Sequence, residues 1–228
     1  NNAGVGGGAS VVNGDREDWE RTFNICWYGV YYNTRAFMPL LVASQEAHLI
    51  NTSSVNGFWA TLGPQSSHTA YSAAKFAVKG FSEALITDLA NNAPHVKVSV
   101  VMPGHIGTSI AINSGRILGG RQGEELSDED VAGMRKRWAS MGMANEETTD
   151  EQIRNLVGEM GRRFRDDAPT TAEQAATIIL DGVREERWRI LIGKDAHRLD
   201  ALVREDPESA YTPEFMVRLR ETGEWGLG

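Results

Sequence analysis

The chain has 228 residues, a formal net charge of −8 and a single cysteine. This length suits one domain with a good core, and the negative charge argues against nucleic acid or an anionic membrane as a partner. A lone cysteine excludes an intrachain disulfide and suits a reducing cytoplasm, and no apolar run reaches the length of a membrane span.

The first predicted element is a long helix. It runs from Asp15, a suitable N-cap residue, to Ser44, and we expect a kink near Pro39. Its aromatic residues outnumber what a core-facing stripe needs, and they are Phe23, Trp27, Tyr28, Tyr31, Tyr32 and Phe37. Contact with another subunit and plain core packing are both open readings of this cluster.

A strand–helix–strand unit follows. Residues 47–52 are typical of a short strand that ends in Ser53-Ser54, and residues 70–89 place apolar side chains at a period close to 3.6. Residues 96–101 are β-branched and alternating, which predicts a second strand. A unit with this spacing predicts a right-handed parallel crossover, and such sheets bind ligands at the carboxyl ends of their strands.

Tyr71 and Lys75 lie near the start of the predicted helix, four residues apart and therefore on one face. Because a nearby cation favours the phenolate, the pair predicts a proton donor or acceptor with a pKa lowered toward neutral pH. The pair alone is a weak signal, since a helix with a solvated lysine has the same pattern. Ser54 before it and the Pro103-Gly104 turn after it favour a site.

Residues 109–170 form a long polar insertion. Capping-box patterns predict helices that begin near Ser127 and Thr149, and a third such pattern begins at Thr171. The first two helices carry the apolar residues Met134, Trp138, Met141, Leu156, Met160 and Phe164. A pair of surface helices that serves only packing is the alternative to a functional role for this insertion.

The predicted domain closes with three further segments. Residues 189–193 are typical of a last, edge strand, and residues 197–205 of a short helix. The tail after Pro207 is expected to be less ordered. No spacing of histidine, cysteine and carboxylate residues suggests a metal site.

The ordered set of motifs resembles the short-chain dehydrogenase/reductase family, in its short single-domain form, from Asn1 to about Gly193. The motifs are Asn1-Asn2-Ala3-Gly4, Ser54, Tyr71-x-x-x-Lys75 and Pro103-Gly104-His105-Ile106-Gly107-Thr108. The resemblance implies a single α/β domain over 1–228, a Rossmann-like doubly wound parallel sheet with helices on both faces. It also implies reversible hydride transfer between NAD or NADP and an alcohol/carbonyl pair.

The resemblance assigns roles residue by residue. Tyr71 corresponds to the general acid/base, Ser54 to the hydroxyl that orients the substrate oxygen, and Lys75 to the residue that lowers the tyrosine pKa and binds the nicotinamide ribose. The turn at Asn1 to Gly4 corresponds to the segment near the adenosine side of the cofactor. The positions implied in cofactor binding are Asn1, Ala3, Gly4, Tyr71, Lys75, Pro103, Gly104, Ile106 and Thr108.

The resemblance also implies partners. The insertion at 109–170 corresponds to a substrate-binding lid, and its methionines suggest a bulky apolar alcohol or carbonyl substrate. The long aromatic helix and the Tyr71 helix correspond to a dimer interface, which implies a homodimer or homotetramer.

The sequence departs from the family pattern at Cys26. The family usually places an asparagine here, where it holds a water of the proton relay. Asn24 lies two residues earlier, so its side chain is turned away from this position by roughly 200° around the helix axis. Asn33 shares the face of Cys26 but lies about 10 Å along the axis. Because a thiol is a weak donor and acceptor, we expect a weakened or rerouted relay. A small buried hydrophobe is the alternative reading of Cys26.

A second departure concerns the phosphate-binding part of the family fold. The chain shows no glycine-rich loop between a first strand and a first helix; no strand precedes Gly4-Val5-Gly6-Gly7-Gly8. We therefore expect a chain that lacks the family's N-terminal part, on the order of 80–90 residues. The residue that would select NAD or NADP is expected in that part.

Two other functions remain open at this level. One is the extended branch of the same superfamily, which acts on nucleotide sugars, although the short distance from Tyr71 to the chain end favours the short form. The other is a catalytically impaired fragment or scaffold that only associates with partner subunits, a reading that Cys26 and the missing glycine-rich loop support.

Overall fold

A computed structural model describes residues 1–8, 10–63, 66–119, 126–140, 144–145, 147–221 and 223–225. The strands in these ranges are β1 (Ala47–Thr52), β2 (Val96–Pro103), β3 (Ile106–Gly107), β4 (Thr170–Thr171) and β5 (Arg189–Ile192). The α-helices are α1 (Arg16–Phe23), α2 (Gly29–Ala43), α3 (Thr69–Asn92), α4 (Ile110–Leu118), α5 (Asp128–Ser140), α6 (Asp150–Asp166), α7 (Ala172–Arg184), α8 (Lys194–Glu205) and α9 (Pro213–Arg220).

The main sheet confirms the predicted strand–helix–strand unit. Its three strands are parallel in the order β1-β2-β5, with Ala47 opposite Val96 and Val100 opposite Arg189. β2 continues two residues beyond the predicted end, to Pro103. The last strand lies at an edge of the sheet, as expected. The carboxyl ends of β1 and β2 therefore meet at one edge, which is where Ser54 and the Pro103-Gly104 turn begin.

Helices cover both faces of the sheet, in a Rossmann-like α/β architecture. Leu49 of β1 packs with Leu85 and Leu89 of α3, whereas its neighbour Ile50 packs with Ile178 and Ile179 of α7. Successive residues of a strand point to opposite faces. The alternation along β1 therefore places α2 and α3 on one face and α7 on the other.

The predicted long helix is interrupted. Asp15 is the N-cap, and its side chain accepts a hydrogen bond from the backbone N–H of Asp18 at 3.0 Å. Pro39 lies inside α2, and a π-helical segment at Asn24–Tyr28 separates α1 from α2. Such π-helical turns are rare insertions within α-helices, and the sequence pattern gave no signal for this one.

The described residues between 109 and 170 form three helices, two of which were predicted and one of which was missed. Ser127 and Asp130 form a reciprocal capping pair before α5, and Thr149 with Gln152 forms a capping box before α6. α4 has no such box, so the capping pattern did not reveal it. Among the residues named for this region, Met141 lies outside the described residues.

The expectation of a less ordered tail after Pro207 is wrong. α8 begins at Lys194, three residues before the prediction, and α9 follows it. Trp225 packs edge-on against Trp59, with ring centroids 5.3 Å apart, and Phe215 lies on the same indole at 5.8 Å. The tail is ordered because it buries Trp59, a side chain more than 150 residues away in the sequence.

Candidate active site

Ser54 is fixed directly after β1. Its side chain accepts a hydrogen bond from the backbone N–H of Asn56 at 3.1 Å and so caps the 3₁₀ turn Val55–Gly57. The neighbouring Ser53 hydroxyl donates to the carbonyl oxygen of Lys75 at 2.7 Å, which ties the end of β1 to α3. Both serines are buried. The position and rotamer of Ser54 are therefore set by the strand end and by α3.

Tyr71 and Lys75 lie next to each other in the first two turns of α3. The Tyr71 hydroxyl is hydrogen-bonded to the Ser54 side chain, and the Lys75 Nζ lies 5.3 Å from the centre of the Tyr71 ring. Lys75 is only 3% exposed, and its ammonium donates to the carbonyl oxygen of Thr52 at 2.9 Å. The structure thus brings the three predicted catalytic residues into one cluster.

The pKa of Tyr71 is shifted opposite to the prediction. Burial of the phenol raises the pKa of Tyr71. The electrostatic interaction with Cys26 adds to this effect, and the hydrogen bond with Ser54 only partly offsets it. Burial also lowers the pKa of Lys75, while Cys26 acts against that change. Because desolvation disfavours each charged form, the effect expected from Lys75 is outweighed in this ligand-free chain.

Cys26 lies in the site, as its register predicted. The thiol is fully buried and donates a hydrogen bond to the carbonyl oxygen of Val5 at 3.2 Å. Asn24 is exposed, and the Asn33 amide donates to the carbonyl oxygen of Gly29 at 2.7 Å. Neither asparagine therefore takes the place of Cys26 beside Tyr71 and Lys75.

The segment after the N-terminal turn passes close to the cluster. A Cβ placed on Gly4 would lie 3.6 Å from the Lys75 Nζ and 3.8 Å from the Cys26 Sγ, in ordinary contact. Gly8 adopts a positive φ of 59°, and its carbonyl oxygen accepts from the N–H of Ala70 at 3.1 Å. This glycine segment is thus pinned to the start of α3.

Asn1 is held by hydrogen bonds to β1 and α2. The Asn1 amide donates to Thr34 Oγ1 at 3.0 Å and to Asn51 Oδ1 at 2.8 Å, which uses both of its N–H groups. Its backbone pairs with β1, and Ala3 is exposed. Asn1 therefore connects α2 with β1.

The segment after β2 contains a short strand. Ile106 and Gly107 form β3, which pairs in parallel with Thr170 and Thr171 of β4. The Thr108 N–H donates to the carbonyl oxygen of Ile106 at 2.8 Å. His105 is buried.

Two residues to which the sequence assigned no role also contact the site. The His68 ring stacks on Tyr71 with centroids 4.7 Å apart, and the Ser114 hydroxyl of α4 accepts from the N–H of Gly6 at 2.8 Å. His68 lies one turn before Tyr71, so spacing could have suggested it. Ser114 had no local signal, because it is 108 residues from Gly6.

These features define a Rossmann-like α/β protein with a Ser–Tyr–Lys cluster at the carboxyl edge of its sheet. In the part of the chain that the structure describes, no group of three or more potential metal ligands occurs, and no helix there is long and apolar enough to cross a membrane.

The chain belongs to the short-chain dehydrogenase/reductase family, because residues 1–116 match the family model described as short chain dehydrogenase. It is 31% identical over 204 residues to SadH of Mycobacterium tuberculosis, which is named as an oxidoreductase. The matched region is 90% of this chain but 60% of SadH. The chain therefore covers less than two thirds of that relative.

Solved structures share the fold. A short-chain dehydrogenase/reductase from Burkholderia phymatum in complex with NAD is 27% identical, with a TM-score of 0.65 over 92% of this chain and 66% of that one. A short-chain dehydrogenase from Burkholderia cenocepacia in complex with NADP has a TM-score of 0.60 at 18% identity, over 96% of this chain and 67% of that one. The second likeness concerns the fold alone.

Proposed function

We propose that the protein containing this chain is an NAD- or NADP-dependent oxidoreductase that interconverts an alcohol and a ketone or aldehyde. The observation that carries the proposal is the cluster in which the Tyr71 hydroxyl is bonded to Ser54 and lies beside the buried Lys75. The complex of the Burkholderia phymatum relative with NAD supports the choice of cofactor class.

Each side chain has a distinct role in this proposal. Tyr71 exchanges a proton with the substrate oxygen, and Ser54 donates a hydrogen bond that orients the same oxygen. The neutral phenol that burial favours is the correct form for donating a proton to a carbonyl. Lys75 supplies a fixed positive charge beside the phenol, and this charge favours the phenolate that remains after proton transfer.

The residues around Lys75 fit a nicotinamide cofactor. An ammonium has three donors, and Thr52 takes one of them, so two can bind ribose hydroxyls. Gly4 leaves this side of the ammonium without a side chain, and Pro103, Gly104, Ile106 and Thr108 would hold the nicotinamide end. The cofactor supplies the hydride when bound, while the chain positions the substrate and handles the proton.

The helices between 109 and 170 are proposed as the substrate lid of a single domain over 1–228. α4 contacts the glycine segment through Ser114, and α6 leaves Leu156 and Met160 exposed at 44% and 57%. Exposed flexible apolar side chains suit a bulky apolar substrate. We place the enzyme in the cytoplasm, where the buried, unpaired Cys26 would stay reduced.

A titration tests the proposal. The full-length protein and this chain alone are titrated with NADH and NADPH, and nicotinamide fluorescence is followed. We expect the full-length protein to bind one of them and to reduce apolar ketones, and we expect the chain alone to bind weakly. Absence of binding by the full-length protein would overturn the proposal.

A second candidate is a catalytically impaired scaffold that only associates with partner subunits. Cys26 favours it, because a thiol replaces the amide expected in the proton relay. In that case the full-length protein oligomerises but gives no turnover with any alcohol or ketone.

We further propose a homodimer or homotetramer in which α2 and α3 pack against a second copy. Tyr32, Phe37 and Leu40 of α2 are 62%, 56% and 67% exposed, and Phe76 of α3 is 42% exposed. Exposed large apolar side chains mark an interaction surface where they lie together, and in this proposal the four form one such surface.

A further inference from the structure

Residues 104–108 need support from outside the main sheet. They follow β2, and within them only Ile106 and Gly107 pair with another strand, the two-residue β4. The Gly104 N–H donates to the carbonyl oxygen of Ile192 at 2.9 Å. A pairing of two residues is too short to fix the backbone conformation of this segment, so other contacts are needed.

The side chain of Asp195 supplies such a contact. It is 1% exposed, and its Oδ2 accepts a hydrogen bond from the His105 backbone N–H at 2.6 Å. Asp195 lies in the first turn of α8, where the partial positive charge of a helix N-terminus favours a carboxylate. Burial raises the pKa of this carboxyl, while the N–H groups of His105 and Ala196 act in the opposite direction.

The Asp195 carboxyl group fills space that two glycines leave open. A Cβ on Gly104 would lie 2.2 to 2.4 Å from three atoms of the Asp195 carboxyl, and a Cβ on Gly193 would lie 2.2 Å from its Oδ1. Gly193 also has a positive φ of 97°. Any side chain at either position would displace the carboxyl group, so the contact between Asp195 and the segment depends on both glycines.

His105 connects the same segment to the proposed lid. Its Nε2 lies 2.7 Å from the carbonyl oxygen of Phe164 in α6, so this nitrogen carries the proton. The imidazole also packs on the Phe164 ring, with centroids 4.4 Å apart. The backbone of His105 is therefore held by α8 and its side chain by α6.

We propose that Asp195 is a positioning residue for the reaction, which holds the backbone of residues 104–108 in the conformation that receives the nicotinamide end of the cofactor. The inference rests on the proposed function, since only that function gives the segment a ligand. Asp195 acts through His105 and Gly104 and does not itself touch cofactor or substrate.

Amide hydrogen exchange and cofactor titration of the full-length protein test this inference together. Asp195→Ala removes the acceptor of the His105 N–H, and we expect faster exchange in residues 104–108 and a Kd for NADH or NADPH raised about tenfold. Asp195→Asn keeps one acceptor oxygen, and we expect it to restore most of the affinity. Exchange around Tyr71 should not change.

The matched control is Asp200→Ala, which removes a carboxylate from the same helix. Asp200 is bonded to Arg189 and Arg204 rather than to residues 104–108, so exchange in that segment should stay as in the wild type. Should Asp195→Ala fail to fold, Gly104→Ala displaces the carboxyl group from the other side and should give the same two effects.

The outcomes separate the two proposals. If the wild type binds neither NADH nor NADPH, the proposed function fails, whatever the exchange data show. If the wild type binds but Asp195→Ala and Gly104→Ala leave both exchange and affinity unchanged, or if Asp200→Ala has equal effects, the positioning role is overturned.

Discussion

Lys75 and Tyr71 are close neighbours in an environment that disfavours both of their charged forms. The ammonium lies 5.3 Å from the centre of the phenol ring, yet burial raises the pKa of Tyr71 and lowers that of Lys75. These shifts favour a neutral phenol, which is the form that the proposed proton donor requires.

Loss of the Tyr71 hydroxyl should remove turnover but not cofactor binding. Because a positioned acid or base contributes roughly 10²–10⁴ in rate, we expect Tyr71→Phe to lower kcat of the full-length protein by at least about 100-fold. The Kd for NADH or NADPH should change little. Tyr32→Phe is the matched control, since that tyrosine is 62% exposed. Unchanged kcat in Tyr71→Phe would exclude the assigned role.

The pH dependence of Tyr71 follows from the direction of its pKa shift. A folded-state pKa above the ordinary value of about 10 favours the neutral form in the folded chain. The resulting stability is present below pH 10 and is lost as pH rises through the higher folded pKa. We expect tyrosinate absorbance of the ligand-free chain to show no ionisation of Tyr71 near pH 7–8, as judged by comparison with Tyr71→Phe.

The free energy of unfolding of the wild type and of Tyr71→Phe gives a second test of the raised pKa of Tyr71. Denaturant unfolding between about pH 9 and pH 12 should show a steeper loss of stability for the wild type than for Tyr71→Phe. Ionisation near neutral pH in the ligand-free chain would contradict the structure and support the prediction from sequence.

Cys26→Asn tests the altered proton relay. The amide of asparagine can bond the Val5 N–H and carbonyl oxygen as the thiol does, at 3.5 and 3.2 Å. We expect kcat to rise by about tenfold, less than the ~10²–10⁴ of a complete acid or base group, and the pH–rate profile to shift. Unchanged kcat and pH profile would mean that Cys26 is only a buried packing residue. Cys26→Ala is the control, and we expect it to lower stability by about 1–3 kcal/mol because Val5 loses a buried partner.

Trp59 connects the segment after Ser54 to the C-terminal helices. Its side chain is fully buried, and its Nε1–H donates to the carbonyl oxygen of Ala210 at 2.6 Å. We expect Trp59→Ala to lower the free energy of unfolding by about 3–5 kcal/mol, as measured by urea denaturation. Trp188, 44% exposed, is the control, and Trp188→Ala should change stability by less than about 0.5 kcal/mol. Equal effects would mean that the C-terminal helices do not depend on Trp59.

The proposed subunit interface predicts a change of oligomeric state. Leu40 and Phe37 are more than half exposed on α2, and a carboxylate at either position would have to be buried unpaired in an interface. We expect Leu40→Glu with Phe37→Glu to shift the full-length protein toward the monomer in sedimentation velocity. Val217→Glu on α9, where the side chain is 62% exposed, should not. A wild-type monomer would rule out the interface.

The local pattern determined most of the architecture. Some signals depend only on residues that are neighbours in the sequence, and the elements they predicted are present. They are the 3.6-residue period of α3, the β-branched alternation of β2 and the capping residues Thr149 and Thr171. The Tyr71–Lys75 spacing likewise fixed that both side chains share one helix face. Such features need no knowledge of distant contacts, because backbone geometry alone sets them.

Only the tertiary structure decided the environment of these residues. The direction of the Tyr71 pKa shift depends on how far the fold desolvates the phenol. Trp59 packs with side chains of the tail, and the His105 N–H bonds to Asp195, 90 residues further along the chain. Burial and long-range hydrogen bonds join residues far apart in the chain, and no local pattern encodes them.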